Sequence, residues 1–129
     1  MSKLVVAAVS DMIFAAKIEG TARHLLVAVQ FVRTLDSLLA QVVQEKPALI
    51  ILDLDNPRFS AIEAIQQLKA HSDETIVAIP ILGFLSHVQV ELRKRALAAG
   101  CNQVLPRSQF SNQLTEILSL EHLSQTLEK

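Results

Sequence analysis

Asp53 is the residue of this sequence best placed to do chemistry. It closes an unbroken apolar run, Leu49-Ile50-Ile51-Leu52, and is followed by Asp55, Asn56 and Pro57. A carboxylate that ends such a run emerges from a buried strand at the carboxyl edge of a sheet, where open α/β sheets bind ligands. Asp53 and Asn56 would equally serve a plain turn, because Asp and Asn side chains bond the nearby backbone. Other polar groups stand after other apolar runs: Ser10 and Asp11 after Leu4–Val9, Ser86 and His87 after Leu85, and Arg107 after Pro106. Two carboxylates and a loop carbonyl suit a hard divalent cation such as Mg²⁺. A cation facing them would neutralise a phosphoryl group. Phosphoryl transfer onto an aspartate requires that set, since the protein mainly positions groups and spreads charge.

Each of these residues also has a plainer role. Ser10 suits a helix N-cap, and Asp11 a first-turn partner of the helix dipole. Ser86-His87-Val88-Gln89 reads as a capping box, which competes with a phosphate contact for Ser86. His24, His71, His87 and His122 are scattered without metal-ligand spacing. Arg93-Lys94-Arg95 reads as a solvated helix face or a partner surface.

The elements that must position these groups follow from hydrophobic pattern and caps. Leu4–Val9 reads as a buried strand. Phe14, Ile18, Ala22 and Leu25 recur at helical spacing. Leu26–Val32 reads as a strand, and Thr34 as the cap of a helix over 35–44 with Leu38, Leu39 and Val42 inward. Pro47 introduces the central strand. Ser60-Ala61-Ile62-Glu63 forms a capping box for a helix with Ile62, Ile65 and Leu68 inward, ending near residues 71–73. Residues 75–82 read as a strand that Pro80 interrupts. A helix then runs to Ala99, with Gly100 as its C′ residue. Asn102–Leu105 is a short strand stopped by Pro106, and 108–127 is helical. Five βα units imply a parallel sheet covered by helices on both sides.

Composition narrows the function classes. At 129 residues the chain is expected to be a single domain over 1–129, with a core of aliphatic residues, since half the residues are hydrophobic but only five are aromatic, all Phe. A net charge of −1 points to neither a polyanion nor a membrane surface as partner. One cysteine, Cys101, allows no intramolecular disulfide and reads as core filler. No segment has signal-peptide or transmembrane character, so a cytoplasmic location is expected. A flavin or nucleotide enzyme is disfavoured, because Val9-Ser10-Asp11 stands where a glycine-rich loop would be needed.

The run Pro47-Ala-Leu-Ile-Ile-Leu-Asp53-Leu-Asp-Asn-Pro57, together with Ala98-Ala-Gly-Cys-Asn102, resembles the receiver domain of bacterial response regulators, the CheY-like family, over about Lys3 to Leu120. The resemblance implies a flavodoxin-like, doubly wound (βα)5 sandwich with parallel strand order 2-1-3-4-5. It implies Asp53 as phosphoacceptor, and Mg²⁺ held by Asp11, Asp53 and the Asp55 carbonyl. Arg107 would stabilise the phosphoryl group in the place of the family's lysine. It further implies a non-enzymatic, stand-alone receiver in phosphorelay signal transduction, served by a histidine kinase or phosphotransfer protein. A homodimer or partner contact is expected through the fourth helix, fifth strand and fifth helix, to which Leu120, Leu123 and Leu127 add apolar surface. No direct contact with nucleic acid or membrane is expected.

Departures from the family pattern matter equally. Ser10 replaces the first acid, which weakens the Mg²⁺ site. Leu85 stands at the usual hydroxyl position, with Ser86 one residue on as a candidate phosphate contact. Val104 replaces the aromatic switch residue, and Ser108 the proline after the lysine. These changes mark an atypical receiver. Its rival reading is a phosphorylation-independent pseudo-receiver, an interaction module in which Asp53 and Arg107 form a structural ion pair.

Overall fold

The structure is a computed structural model that describes residues 3–86 and 89–119. Its elements run β1 Leu4–Ala8, α1 Met12–His24, β2 Ala28–Phe31, α2 Leu35–Glu45, β3 Leu49–Asp53, α3 Ala61–Lys69, α4 Glu74–Val77, β4 Ile81–Leu85, α5 Val90–Ala99, β5 Gln103–Pro106, α6 Arg107–Asn112 and α7 Leu114–Ile117. The five strands are all parallel, in the order β2-β1-β3-β4-β5, as expected from the sequence. Among the described residues no helix is long and apolar enough to cross a membrane.

The central strand, β3, is buried at every position and alternates between two cores. Ile50 and Leu52 pack with Leu38, Val42, Ile65, Leu68 and Ala96 from α2, α3 and α5. Leu49 and Ile51 pack on the other side with Ile18, Phe110, Leu114 and Ile117 from α1, α6 and α7. This two-sided burial is why the strand reads as a continuous apolar run and not as an alternation.

Several local expectations are corrected. Asp11, not Ser10, caps α1: its carboxylate accepts from the amides of Ile13 and Phe14 at 2.9 and 3.1 Å. An ionised acceptor makes the stronger cap. Leu26 is no strand residue. It is 78% exposed with φ of 61°, and the Val27 and Leu26 amides donate back to the carbonyls of Ala22 and Arg23. Those two bonds form a Schellman closure of α1, so β2 starts only at Ala28. Ser60 precedes α3 but makes no side-chain capping bond. Residues 74–77 are a helical turn capped by Asp73, and β4 begins after Pro80. Thr34 does cap α2, in a box completed by Ser37. The predicted last helix divides at Gln113 into α6 and α7. Leu120, Leu123, Leu127, His87 and His122 lie outside the described residues.

Away from the carboxyl edge, Lys69 ties three elements together. Its Nζ donates to the carbonyls of Val77 and Ile79 and to Asn102 Oδ1, at 3.0, 3.3 and 3.2 Å. Burial pulls its pKa below the ordinary lysine value. Gly100 closes α5 beside it, with φ of 117°, through bonds from the Gly100 and Cys101 amides to Leu97 and Ala96. A Cβ at Gly100 would lie 2.6 Å from Lys69 Cγ and would sit in a backbone region that L-residues avoid. Gly100→Ala is therefore expected to destabilise the protein by about 1–2 kcal/mol. Urea unfolding followed by far-UV circular dichroism checks this, since the chain has no Trp or Tyr to report by fluorescence. An unchanged midpoint would contradict it.

Candidate functional site at the carboxyl edge

Three elements bring one cluster together above the sheet. Asp53 ends β3 in register with Phe84 of β4. Side chains alternate along a strand, so Asp53 continues the face of Leu49 and Ile51, toward α1 and α6. Asp11 sits at the N-terminus of α1, and Arg107 begins α6 immediately after Pro106 of β5. Each follows a strand that the sheet aligns with its neighbours, which is why residues far apart in sequence converge here.

Arg107 spans the two acids. Its Nη1 donates to Asp11 Oδ2 at 3.1 Å, and its Nη2 lies 3.7 Å from Asp53 Oδ2. The Asp55 amide donates to Asp53 Oδ1 at 3.0 Å. Phe14, Phe84 and Phe110 form a ring cluster beneath, with centroids 4.7–5.6 Å apart. The Arg107 guanidinium carbon stands 5.0 Å from the Phe14 centroid and 5.5 Å from that of Phe84. Both distances lie within cation–π range. Arg107 Nε is buried without a hydrogen-bond partner among the described residues. The sequence reading missed this aromatic seat. Three of the five Phe stand near the ends of α1, β4 and α6, but only the topology puts them side by side.

The electrostatics are asymmetric. Asp53 is 2% exposed, and burial pushes its carboxyl above the ordinary aspartate value against the pull of the Asp55 amide and Arg107. Asp11 is partly exposed, and the Phe14 amide, aided by the Ile13 amide and Arg107, holds it below that value. Asp53 is thus the costly member of the trio and Asp11 the readily ionised one.

The side chains of the other candidates do not join the cluster. Asp55 turns its carboxylate to the β4–α5 connection, where it accepts from the Ser86 amide and from Gln89 Nε2. The capping box expected from Ser86 and Gln89 is therefore replaced: Gln89 bonds Asp55, and α5 starts at Val90 without a side-chain cap. Ser86 itself is exposed, and Leu85 and Val104 are buried in the core. Leu85, Val90, Val104 and Pro106 line an open groove of about 320 Å³, with Gln89, Arg93 and Lys94 also on its walls. Cys101 is buried, its Sγ donating to the Ile81 and Gln103 carbonyls, as a core thiol does.

As arranged, this donor set does not fit a divalent cation. Every oxygen of Asp11 and Asp53 is turned to an amide or to the guanidinium. Among the described residues no three His, Cys, Asp or Glu side chains are gathered as a metal site. Mg²⁺ keeps several waters and needs near-octahedral oxygen ligation at short range, and to reach both acids it would have to displace the guanidinium that they already face.

A buried carboxylate with one nearby cation makes stability depend on pH. Arg107→Ala removes the counter-charge of Asp53 and is expected to cost about 1–3 kcal/mol at pH 7, the usual penalty of leaving a buried acceptor without its partner. The Asp53 pKa then rises further in the folded state. The extra cost is full above the variant's raised Asp53 pKa and is gone below the wild-type folded value, both of which lie above 3.8, because the unfolded state is common to the two proteins. Urea midpoints of wild type and variant at several pH values test this. Midpoints that differ by a constant amount from pH 3 to pH 7 would refute it.

No protein-family model and no curated protein matches the chain. Solved structures do. A candidate response regulator from Chloroflexus aurantiacus J-10-fl superposes with a TM-score of 0.81 at 16% identity, covering 100% of both chains. A response regulator from Hahella chejuensis gives 0.80 at 24% identity, over 91% of this chain and 92% of its own. The receiver domain of a sensor histidine kinase from Pseudomonas aeruginosa, which has a magnesium ion in its active-site cleft, gives 0.80 at 17%, over 100% of both. With its 2-1-3-4-5 parallel sheet and full-length superposition, the chain has the CheY-like receiver fold.

Proposed function

We propose that the chain, read as one domain over 1–129, is a receiver-type signal-transduction module that acts through protein contacts, with Asp53 and Arg107 forming a structural ion pair in place of a phosphorylation switch. One observation carries this reading: the Arg107 guanidinium bridges Asp11 and Asp53 while Asp53 is 2% exposed. An acceptor aspartate must present a free, ionised oxygen to phosphorus. Here Asp53 is buried, and both its side-chain oxygens face donors. Leu85 and Val104 supply neither a hydroxyl nor an aromatic ring to relay a change at the site. The partner in this reading is another signalling protein or a second copy, meeting α5, β5 and α6 in the cytoplasm. The apolar groove between α5 and β5, with basic Arg93 and Lys94, supports that face.

A second reading keeps Asp53 as phosphoacceptor in a phosphorelay, supplied by a histidine kinase or phosphotransfer protein. The placement of Asp53 at the carboxyl end of β3, with a guanidinium able to pair an anion, favours it.

Incubation with acetyl phosphate and Mg²⁺, followed by intact-mass measurement, separates the two. The expected spectrum is that of the unmodified chain, identical for wild type and Asp53→Asn. A phosphoryl adduct on wild type that Asp53→Asn abolishes would establish the phosphoacceptor and end the phosphorylation-independent reading.

A further inference from the structure

We infer that Arg107 is the resident cation of this site: its guanidinium holds the space between Asp11 and Asp53 and so decides that no divalent metal binds there. The inference deepens the structural-pair reading above and concerns only what occupies the site.

The geometry is that of a cation already coordinated. Asp11 Oδ2 and Asp53 Oδ2, from two different strand ends, both turn to the same guanidinium, at 3.1 and 3.7 Å. The remaining oxygens, Asp11 Oδ1 and Asp53 Oδ1, accept from backbone amides. A metal ion between the acids would have to displace Arg107. The rings of Phe14 and Phe84 resist that displacement, because they hold the guanidinium from below. So does its place as the first residue of α6, directly after a strand. Arg107 Nε makes no hydrogen bond among the described residues, so the two Nη groups carry the polar contacts of this side chain.

Charge points the same way. Two carboxylates and one guanidinium leave the cluster with a single net negative charge. Ligand charge count is what tunes divalent affinity, and a fixed positive charge in the middle of the site opposes a second one. Asp55 cannot make up the deficit with its carboxylate, which is committed to the Ser86 amide and Gln89. Lysine at position 107 would be a different group: a point charge without a fork, unable to hold both acids with separate nitrogens.

Mn²⁺ titration in buffer free of phosphate and phosphodonor, read by electron paramagnetic resonance of the free ion, tests the inference. Wild type is expected to show no saturable binding in the millimolar range. Arg107→Gln should bind roughly tenfold to hundredfold more tightly. Arg107→Lys should fall between them, and adding Asp11→Asn to Arg107→Gln should abolish the gain. Far-UV circular dichroism establishes that each variant is folded. If Arg107→Gln does not fold, the comparison of wild type with Arg107→Lys carries the same ranking. Wild-type binding as tight as that of the variants would overturn the inference, as would absence of binding in every protein. Since no phosphodonor is present, the result is read independently of the acetyl phosphate experiment.

Discussion

A carboxylate buried at the open end of the middle strand has to be answered by positive charge, and the rest of this structure is arranged around that demand. Asp53 loses hydration to the sheet and to the helices on either side of it, which raises its pKa. Two groups oppose that cost, the Asp55 amide and the Arg107 guanidinium, while the like charge of Asp11 adds to it. Arg107 is itself poorly hydrated, and the ring faces of Phe14 and Phe84 replace part of the water it gives up. Asp11 completes the set because it is anchored independently, as the cap of α1. Its two amide bonds hold the carboxylate independently of Arg107, so the guanidinium pairs with an ordered partner.

Much of the fold was legible because it rests on one-dimensional signals. The uninterrupted run Leu49–Leu52 announced a strand buried on both faces, and β3 packs into both cores. Thr34 capped α2, and Gly100 closed α5 in the left-handed region, as their residue types indicate. The placement of Asp53 and Arg107 at one sheet edge was legible too, since it follows from the topology alone. The errors share a different origin: they arose where two local solutions competed and a tertiary contact chose between them. Ser10 and Asp11 were both adequate caps, and the acid that could also reach Arg107 took the position. Ser86 and Gln89 had capping-box spacing, but Asp55, 34 residues before Gln89, offered its amide group a carboxylate. Leu26 has strand propensity, yet the closure of α1 needed a residue in the left-handed region there. The aromatic seat of Arg107 had no sequence signature at all, because Phe14, Phe84 and Phe110 become neighbours only across the sheet edge.

The two cores differ in what they carry. The α1, α6 and α7 side carries the charged cluster, and its aromatic residues concentrate directly beneath Arg107. The α2, α3 and α5 side is almost purely aliphatic and carries Leu85 and Val104. Leu85 and Val104 have no polar atom and are 2% and 6% exposed, so each is fixed by apolar burial.

What links the acidic cluster to the α5–β5 groove is instead a static tie. Asp53 Oδ1 holds the Asp55 amide, and the Asp55 carboxylate holds the Ser86 amide and Gln89, a residue that lines the groove. Each step in that chain is a hydrogen bond to a carboxylate, the stronger kind. Its length is three residues, and none of its steps requires a change of protonation or of bound ion. A connection of this type ties one groove-lining residue, Gln89, to Asp53 through Asp55. The wall of the groove is thus joined by hydrogen bonds to the same buried carboxylate that faces Arg107.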